Sequence, residues 1–318
     1  MRFFASHLCL ALLSGSVVAF PAMADPLQVY SYATVLEAGP VIRAVEIVGS
    51  ELVEGRTGGI PNLWDANDQE RFPGLADLAA NADTQILRWS LDHEDARVIM
   101  TVTEGIYRIV ARKSAGIETM ADLEGKRIGT WGDTSAAYYL QSALASAGLS
   151  ESDAVITSLK ADPLADGLIA GELDAIAIWE PAAVRAESAL GDDAIILEPD
   201  VVYREFFNLN AKAGDLADPV KRAKIVQFLM ATIVACEEAK TSPGNMQAML
   251  AERTNFDAKH IAESWPHHRF PCNLPTDLLD VLAEEEVWLA AKDERQPRTR
   301  EELDRLIDPS VLAEALAL

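Results

Sequence analysis

Cysteine is scarce in this chain. Of three in 318 residues, Cys9 lies in an apolar leader, which leaves Cys236 and Cys272. In an oxidising compartment those two are able to pair, but nothing in the sequence fixes their separation. A disulfide and two buried thiols both stay open. No C-x-x-C, H-E-x-x-H or G-x-S-x-G motif occurs, so the chain offers no sequence sign of a thiol redox centre, a zinc helix or a nucleophile elbow. His260, His267, His268 and Cys272 gather near "SWPHHRFPC". Adjacent histidines in a loop between Pro266 and Pro271 point in different directions, however, and no metal or cofactor is expected. Basic residues are also few: 27 Lys and Arg stand against 50 Asp and Glu, a formal charge of −23. Phosphates would be repelled, which excludes a nucleic-acid partner. Repeats and low-complexity segments are missing. No stretch after the first two dozen residues approaches the roughly 18 apolar residues of a membrane span.

What is present begins with that leader. Met1–Arg2, apolar runs from Leu8 to Leu13 and Val17 to Phe20, and the small-x-small pattern Ala22-Met23-Ala24 predict a secretory signal peptide cleaved near Ala24. The mature chain is expected to start near Asp25 and to be exported and soluble. The remaining length, about 294 residues, fits two domains of ordinary size.

The rest alternates short apolar runs with helical periods. Lys126–Trp131 reads as a strand. It is followed by a helix whose face is Tyr139, Leu140, Ala143, Leu144 and Ala147, with Asp133, Thr134 or Ser135 as N-cap and Gly148 at C′. Ala154–Leu159 and Ala175–Trp179 read as further strands, separated by a short helix ending near Gly171. Strands alternating with helices predict a parallel sheet. Pro181 suits the first position of the next helix, with Glu180 as its N-cap. Trp179 and Glu180 then stand at the carboxyl end of a parallel strand, the edge at which open sheets bind ligands. "GDTSAA" lies at the same edge, where a helix start offers free N–H groups.

Two stretches, "MADLEGKRIGTWGDTSAAYYLQSALASAGL" and "GLIAGELDAIAIWEP", resemble the substrate-binding proteins of nitrate/taurine/alkanesulfonate-type ABC importers, a group that is thiamine-pyrimidine-synthase-like in fold. The likeness is good over 116–185 and suggestive over 81–112. Where that family carries a "GlF-x-x-eGL-x-V" block, this chain has "AVEIVGSELVEGRTGGIPNLWDANDQERFP", so segment 46–75 is expected to depart from the pattern. The pyrimidine synthases of the same fold carry closely spaced cysteines for iron, which this chain lacks.

The resemblance implies an α/β, two-lobed periplasmic-binding-protein fold (type II-like). Each lobe is a mostly parallel sheet flanked by helices, with a helical C-terminal extension. Lobe one would be 25–111 plus 206–318, and lobe two 112–205, with hinge strands near Tyr107–Arg112 and Val202–Phe206. The C-terminal helix with Leu278, Val281, Leu282 and Leu289 on one face, and Thr276 as cap, would brace lobe one. The implied function is the periplasmic solute-binding component of an ABC importer. It would be a monomer that captures a small organic solute (sulfonate, zwitterion or heterocycle) by hinge closure and hands it to the permease, and not an enzyme. The alternatives are a secreted lyase or hydrolase on the same fold, with Glu104 or Glu180 as its acid, and a sensor or orphan binding protein.

The candidate ligand-binding set is Ser31, Tyr32, Thr34, Asn81, Thr84, Thr103, Glu104 and Asn208 from lobe one. Lobe two adds Thr134, Ser135, Tyr138, Trp179 and Glu180. Glu104 has a competing structural role, as partner of an arginine such as Arg108. Aromatic rings with hydroxyl donors suit a small ligand with an apolar portion and one polar head. No arginine clamp accompanies "GDTSAA", which argues against bare nitrate or bicarbonate.

Overall fold

The computed structural model describes residues 25–32, 34–65 and 73–318. The expected leader, residues 1–24, lies outside them. In chain order the elements are β1 (Leu27–Tyr30), α1 (Gly39–Val48), β2 (Val53–Arg56), β3 (Leu78–Ala82), α2 (Asp83–Trp89), β4 (Ala96–Ile106), β5 (Arg108–Arg112), β6 (Arg127–Thr130), α3 (Ser135–Ser146), β7 (Val155–Ser158), α4 (Ala161–Ala170), β8 (Ala175–Ile178), α5 (Ala182–Leu190), β9 (Ala194–Leu197) and β10 (Arg204–Lys212). A helical stretch follows: α6 (Ala213–Ala217), α7 (Pro219–Thr241), α8 (Pro243–Arg253), α9 (Ala258–Ser264), the short β11 (His268–Arg269), α10 (Leu278–Lys292), α11 (Arg300–Asp304) and α12 (Ser310–Leu316).

These strands form two sheets, ordered β11-β4-β10-β3-β1-β2 and β7-β6-β8-β5-β9. In the first, β2, β1 and β3 pair in parallel, and β10 runs against both β3 and β4. In the second, β7, β6 and β8 pair in parallel, and β5 runs against β8 and β9. Both sheets are mixed because the strand that enters from the other sheet runs against its neighbours; in the first, the short β11 also runs against β4. The chain passes between sheets twice, at Tyr107 and in the segment between Leu197 and Arg204.

Each sheet has its own core. One face of the first packs on α1, α7 and α8 through Leu78, Ile99, Val102, Phe228 and Leu250. Its other face packs Ile86, Leu87 and Phe206 against Leu278, Leu282 and Leu289 of α10, so the C-terminal helix braces this sheet. Val281 of the expected face is only partly buried. The second core joins Ile109, Ile128 and Ile176 to Leu140 and Leu144 of α3 and Leu164 and Leu168 of α4. The open edge of β4 is shielded by β11, Asn273 and Ile307, each bridging to it, which removes a template for strand addition.

Local chemistry sets the helix starts and ends. Thr134 caps α3, its Oγ1 accepting from Ala136 N at 3.2 Å, and Gly148 follows the helix at φ +76. Pro181 differs from expectation. It occupies the N-cap position, and α5 starts one residue later. The Glu180–Pro181 peptide is cis, and the Glu180 carboxylate reaches forward to accept Val184 N at 2.9 Å. Asp277, not Thr276, stands at the N-cap of α10. In segment 46–75, the described part holds the end of α1, β2 and a single 3₁₀ turn at Ile60–Leu63.

Cys236 in α7 and Cys272 are joined in a disulfide with Cα atoms 6.2 Å apart, inside the first core. The bond closes a loop of 36 positions, for which restriction of the unfolded chain contributes about 3–4 kcal/mol. Reduction, or the double change Cys236→Ser with Cys272→Ser, is expected to lower the urea-unfolding free energy by about that amount. Superimposable curves with and without reductant would show that the bond contributes nothing.

Candidate functional site

The registers bring the carboxyl ends of strands in the two sheets to one gap. β4 ends beside the start of β10, Ile106 opposite Arg204, and β8 ends beside the start of β5, Ile178 opposite Arg108. From the first sheet the gap receives Ser31, Tyr32, the start of α2 and Glu205. From the second it receives Thr130, Trp131, the start of α3, Trp179 and Glu180. Such an edge is where open sheets place ligands.

On the first side, Ser31 is buried and its hydroxyl has no hydrogen-bond partner among the described residues. Tyr32 and Asn81 close over Gly59: a Cβ there would stand 2.5 Å from the Tyr32 ring and 2.8 Å from Asn81 Nδ2. Gly59 is thus the residue that lets the departing segment pass beneath these two side chains. Thr34 is exposed on the rim. Thr84 Oγ1 meets Ser135 Oγ at 2.9 Å, which joins the first turns of α2 and α3 across the gap. Asp133 adds ion pairs to Lys292 at 2.6 Å and Arg88 at 3.7 Å from the opposite side.

On the second side, Trp179 is half-buried and stacks on Trp131, with centroids 5.4 Å apart and planes 25° apart. Tyr138 meets Tyr203 and Trp288 edge-on. Tyr107 and Tyr203, one on each crossing, also pack edge-on at 5.3 Å. Thr134 is occupied by capping and by donation to Trp131 O at 2.7 Å.

Four of the expected residues sit deeper. Thr103 donates to Glu37 O at 2.8 Å within β4. Asn208 lies inside β10 opposite Asn81 and accepts from Thr101 Oγ1 at 2.7 Å. Glu104 is held by Arg204 at 3.1 Å and Arg269 at 3.7 Å, so its arginine partners differ from the Arg108 expected. Arg108 instead holds Glu180, Nε donating to Oε1 at 2.7 Å, and Glu187 at 2.7 Å.

The residues the sequence reading missed are acids. Asp83 accepts from Phe206 N at 2.8 Å, Thr84 N at 2.8 Å and the Tyr203 hydroxyl at 3.4 Å. Tyr203 also donates to Glu285 Oε1 at 2.8 Å, and Tyr107 donates to Glu205 Oε2 at 2.6 Å. Burial pushes the Asp83 carboxyl up to about 6, against the pull of the Phe206 and Thr84 N–H groups. Burial, then the charge of Asp83, raises Glu285 well above its usual range, and burial with the charges of Glu37 and Asp83 does the same to Glu205. Burial alone would lower His268, but the Glu37 carboxylate at 3.4 Å, with Glu180 and the Ser264 carbonyl, raises it. Burial and the nearby Arg108 lower His267 to about 4. Glu285 had a visible signal. It falls between Leu282 and Leu289 on the apolar face of α10, where a carboxylate needs a reason.

The pattern of NMT1/THI5-like proteins matches residues 70–245, and the chain belongs to that family. Among solved structures it is similar to the periplasmic aliphatic sulphonate binding protein SsuA from Escherichia coli, at 17% identity over 87% of this chain and 91% of that one, TM-score 0.70. It is similar to the periplasmic nitrate-binding protein NrtA from Synechocystis PCC 6803, at 11% identity over 92% and 88% of the two chains, TM-score 0.69. The desulfurization enzyme DSZB also matches, at 15% identity over 92% and 99%, TM-score 0.61. At these identities the likeness is one of fold, the two-lobed periplasmic-binding-protein architecture. No curated protein sequence matches the chain.

The raised carboxyls carry a stability cost with a definite sign. Above the unfolded glutamate value of about 4.3, the unfolded chain has lost the Glu285 proton while the folded protein retains it, so folding stability falls as pH rises. Glu285→Gln removes that penalty. Its thermal midpoint is expected to exceed the parent's near pH 7, with the gain shrinking towards about pH 4. A midpoint below the parent's at every pH would show that the carboxyl is a structural requirement.

Proposed function

We propose that this chain is the periplasmic solute-binding component of an ABC importer, which traps a small organic solute between two lobes and delivers it to a membrane permease. The lobes follow the two sheets, so the divisions expected at 111 and 206 move to the crossings at Tyr107 and just before Arg204, with β5 in the second lobe and all of β10 in the first, and the protein works as a monomer. The observation that carries the reading is the gap itself. Two separately cored sheets turn their strand ends towards each other and are joined by only two chain crossings, a geometry that opens and closes without disturbing either core. Family membership and the sulphonate- and nitrate-binding neighbours of the same fold support it. No helix among the described residues is long and apolar enough to cross a membrane.

An enzyme on this fold exists; the two acids that the sequence offered for such a role, Glu104 and Glu180, are engaged with Arg204 and Arg108. Binding without turnover is the reading the geometry favours. The solute would contact Ser31, Tyr32, Asn81, Thr84, Ser135, Tyr138 and Trp179. Thr34 would stand at the mouth and Thr134 would hold the α3 start in place. Thr103, Glu104, Glu180 and Asn208 would support this layer from beneath.

A thermal-shift screen of small sulfonates, amino acids, amines, pyrimidines and aromatic acids tests the reading, because a ligand of the native state raises the midpoint by mass action. Small-angle scattering should show a smaller radius of gyration with any hit, and chromatography should show no product. Trp179→Ala is expected to weaken that hit by about tenfold or more. Unchanged affinity in the folded variant would remove Trp179 from the site, and a chemically altered hit would replace binding with catalysis.

A further inference from the structure

The last turns of α10 reach beyond the lobe to which the helix belongs. Leu278, Leu282 and Leu289 hold α10 against Ile86, Leu87 and Phe206 of the first lobe. Glu285, Trp288 and Lys292 fall at i, i+3 and i+7, on one side of the helix. Each has a partner outside that core. Glu285 accepts from Tyr203 on the second crossing at 2.8 Å. Trp288 meets Tyr138 of α3 edge-on at 5.5 Å, and Lys292 pairs with Asp133 at 2.6 Å.

Asp133 is where the second lobe receives most of this contact. It lies between β6 and α3, one residue ahead of the Thr134 cap, with φ +64. Among residues with a side chain, mainly Asn and Asp adopt that left-handed conformation readily. The side chain is exposed, yet it is drawn to two cations of the first lobe, Lys292 on α10 and, at 3.7 Å, Arg88 on α2. Its carbonyl accepts from Gln85 Nε2 of α2 at 3.4 Å. The cations are themselves placed. Lys292 Nζ lies over the Trp288 ring, 5.4 Å from its centroid. Arg88 Nε and Nη2 are buried without a hydrogen-bond partner among the described residues, and Asp133 is their counter-charge there. Lys292 holds the Asp133 carboxyl below the usual carboxylate range, so the group is ionised at neutral pH. Two helices of one lobe thus converge on a single residue of the other.

We propose that Asp133 is a latch: its carboxylate, received by Lys292 and Arg88, holds the lobes together and sets how much of the protein is closed before any solute arrives. This rests on the two-lobed solute-binding reading and deepens it, because it assigns the closing contact to residues outside the solute-binding set. An ion pair within one lobe is the same in the open and closed forms and biases neither. This one is broken by opening, so its whole free energy acts on the equilibrium between them. Its weight, as an exposed pair, is about two- to fivefold in the closed-to-open ratio. That is enough to bias closure and too little to prevent release.

The test measures lobe separation directly. Nitroxide labels are placed at Val155→Cys on β7 and Val234→Cys on α7, both exposed and one on each lobe. The protein is unfolded and refolded with its disulfide intact to remove bound solute, and distances are read by pulsed electron resonance. At about 20 mM salt the parent is expected to show a short and a long distance. Asp133→Asn, which keeps the left-handed turn and removes only the charge, should shift the ratio about two- to fivefold towards the long one. Lys292→Met should shift it less, and the double variant no further than Asp133→Asn alone. Salt at about 0.5 M should bring the parent to the Asp133→Asn ratio and leave that variant unmoved, a response that a merely structural role would not give. Thr84→Trp is the control, a wedge where Thr84 meets Ser135 at 2.9 Å, and circular dichroism checks that every variant is folded. Identical ratios in the parent and Asp133→Asn, with Thr84→Trp lengthened, would overturn the latch and leave the hinged reading standing. A folded Thr84→Trp with unchanged distances as well would count against both.

Discussion

A carboxylate taken out of water must find a cation, a set of donors or a proton, and the interior of this protein is arranged around that requirement. The idealised cost of burying a lone charge is on the order of 20 kcal/mol, and several kcal/mol remain after relaxation. Arg108 meets it for Glu180 at the first residue of β5, and it also fixes where the second sheet begins relative to α5. Arg204 does the same for Glu104 at the first residue of β10. Both arginines sit where the chain has just crossed between lobes. The ion pairs that hold the crossings therefore also set the depth of the gap.

The contacts that span the gap are of a different kind from those that build each lobe. Within a lobe, apolar side chains interlock in a continuous core. Across the gap the links among the described residues are mostly polar: Thr84 to Ser135, Asp133 to Lys292 and Arg88, Ser188 to Glu263, Ser264 to Glu180, with Tyr138 edge-on to Trp288 as an aromatic contact. The exposed pair of Asp133 with Lys292 contributes about 0–1 kcal/mol, and a buried hydrogen bond such as Thr84–Ser135 about 0.5–1.5 kcal/mol. The closed arrangement is thus weakly held in comparison with the lobes themselves. A ligand that touches both sides needs only a modest difference in affinity between open and closed forms to decide which is populated.

Much of the second lobe was legible in the sequence because its signals are local. The strand at Ala175–Ile178 is a continuous apolar run, α3 shows a helical face with a threonine cap, and Gly148 closes it. The site was legible only at its rim. Trp179, Tyr138 and the Thr134–Ser135 turn follow from position at strand ends. Asp83, Glu205 and Tyr203 do not, because their meaning comes from partners 98 to 123 positions away, as the Tyr107–Glu205, Tyr203–Asp83 and Phe206–Asp83 bonds show. Glu285 was half legible. Its place on an apolar face marks it as buried, but only the fold shows that Tyr203 faces it. The Cys236–Cys272 pairing was open for the same reason: it depends on how α7 lies against the segment after β11, a distance that spacing does not encode.

The helix starts at the junction show how side chains take up what the backbone offers. The backbone features that favour an anion, the first turns of α2 and α3 with their free N–H groups, are still present. Here Asp83 opens α2 and takes up Thr84 N with its own carboxylate, and Thr134 takes up Ala136 N. One N–H of each helix start is thus taken up from within, which leaves fewer donors for an incoming anion. Beside them lie Asp83, Glu205 and Glu285, whose carboxyls burial raises, and the Tyr107 and Tyr203 hydroxyls that donate to them. The arrangement requires only that a side-chain acid, Asp83, occupy the first turn of α2 and that a second acid, Glu285 on α10, be brought against it.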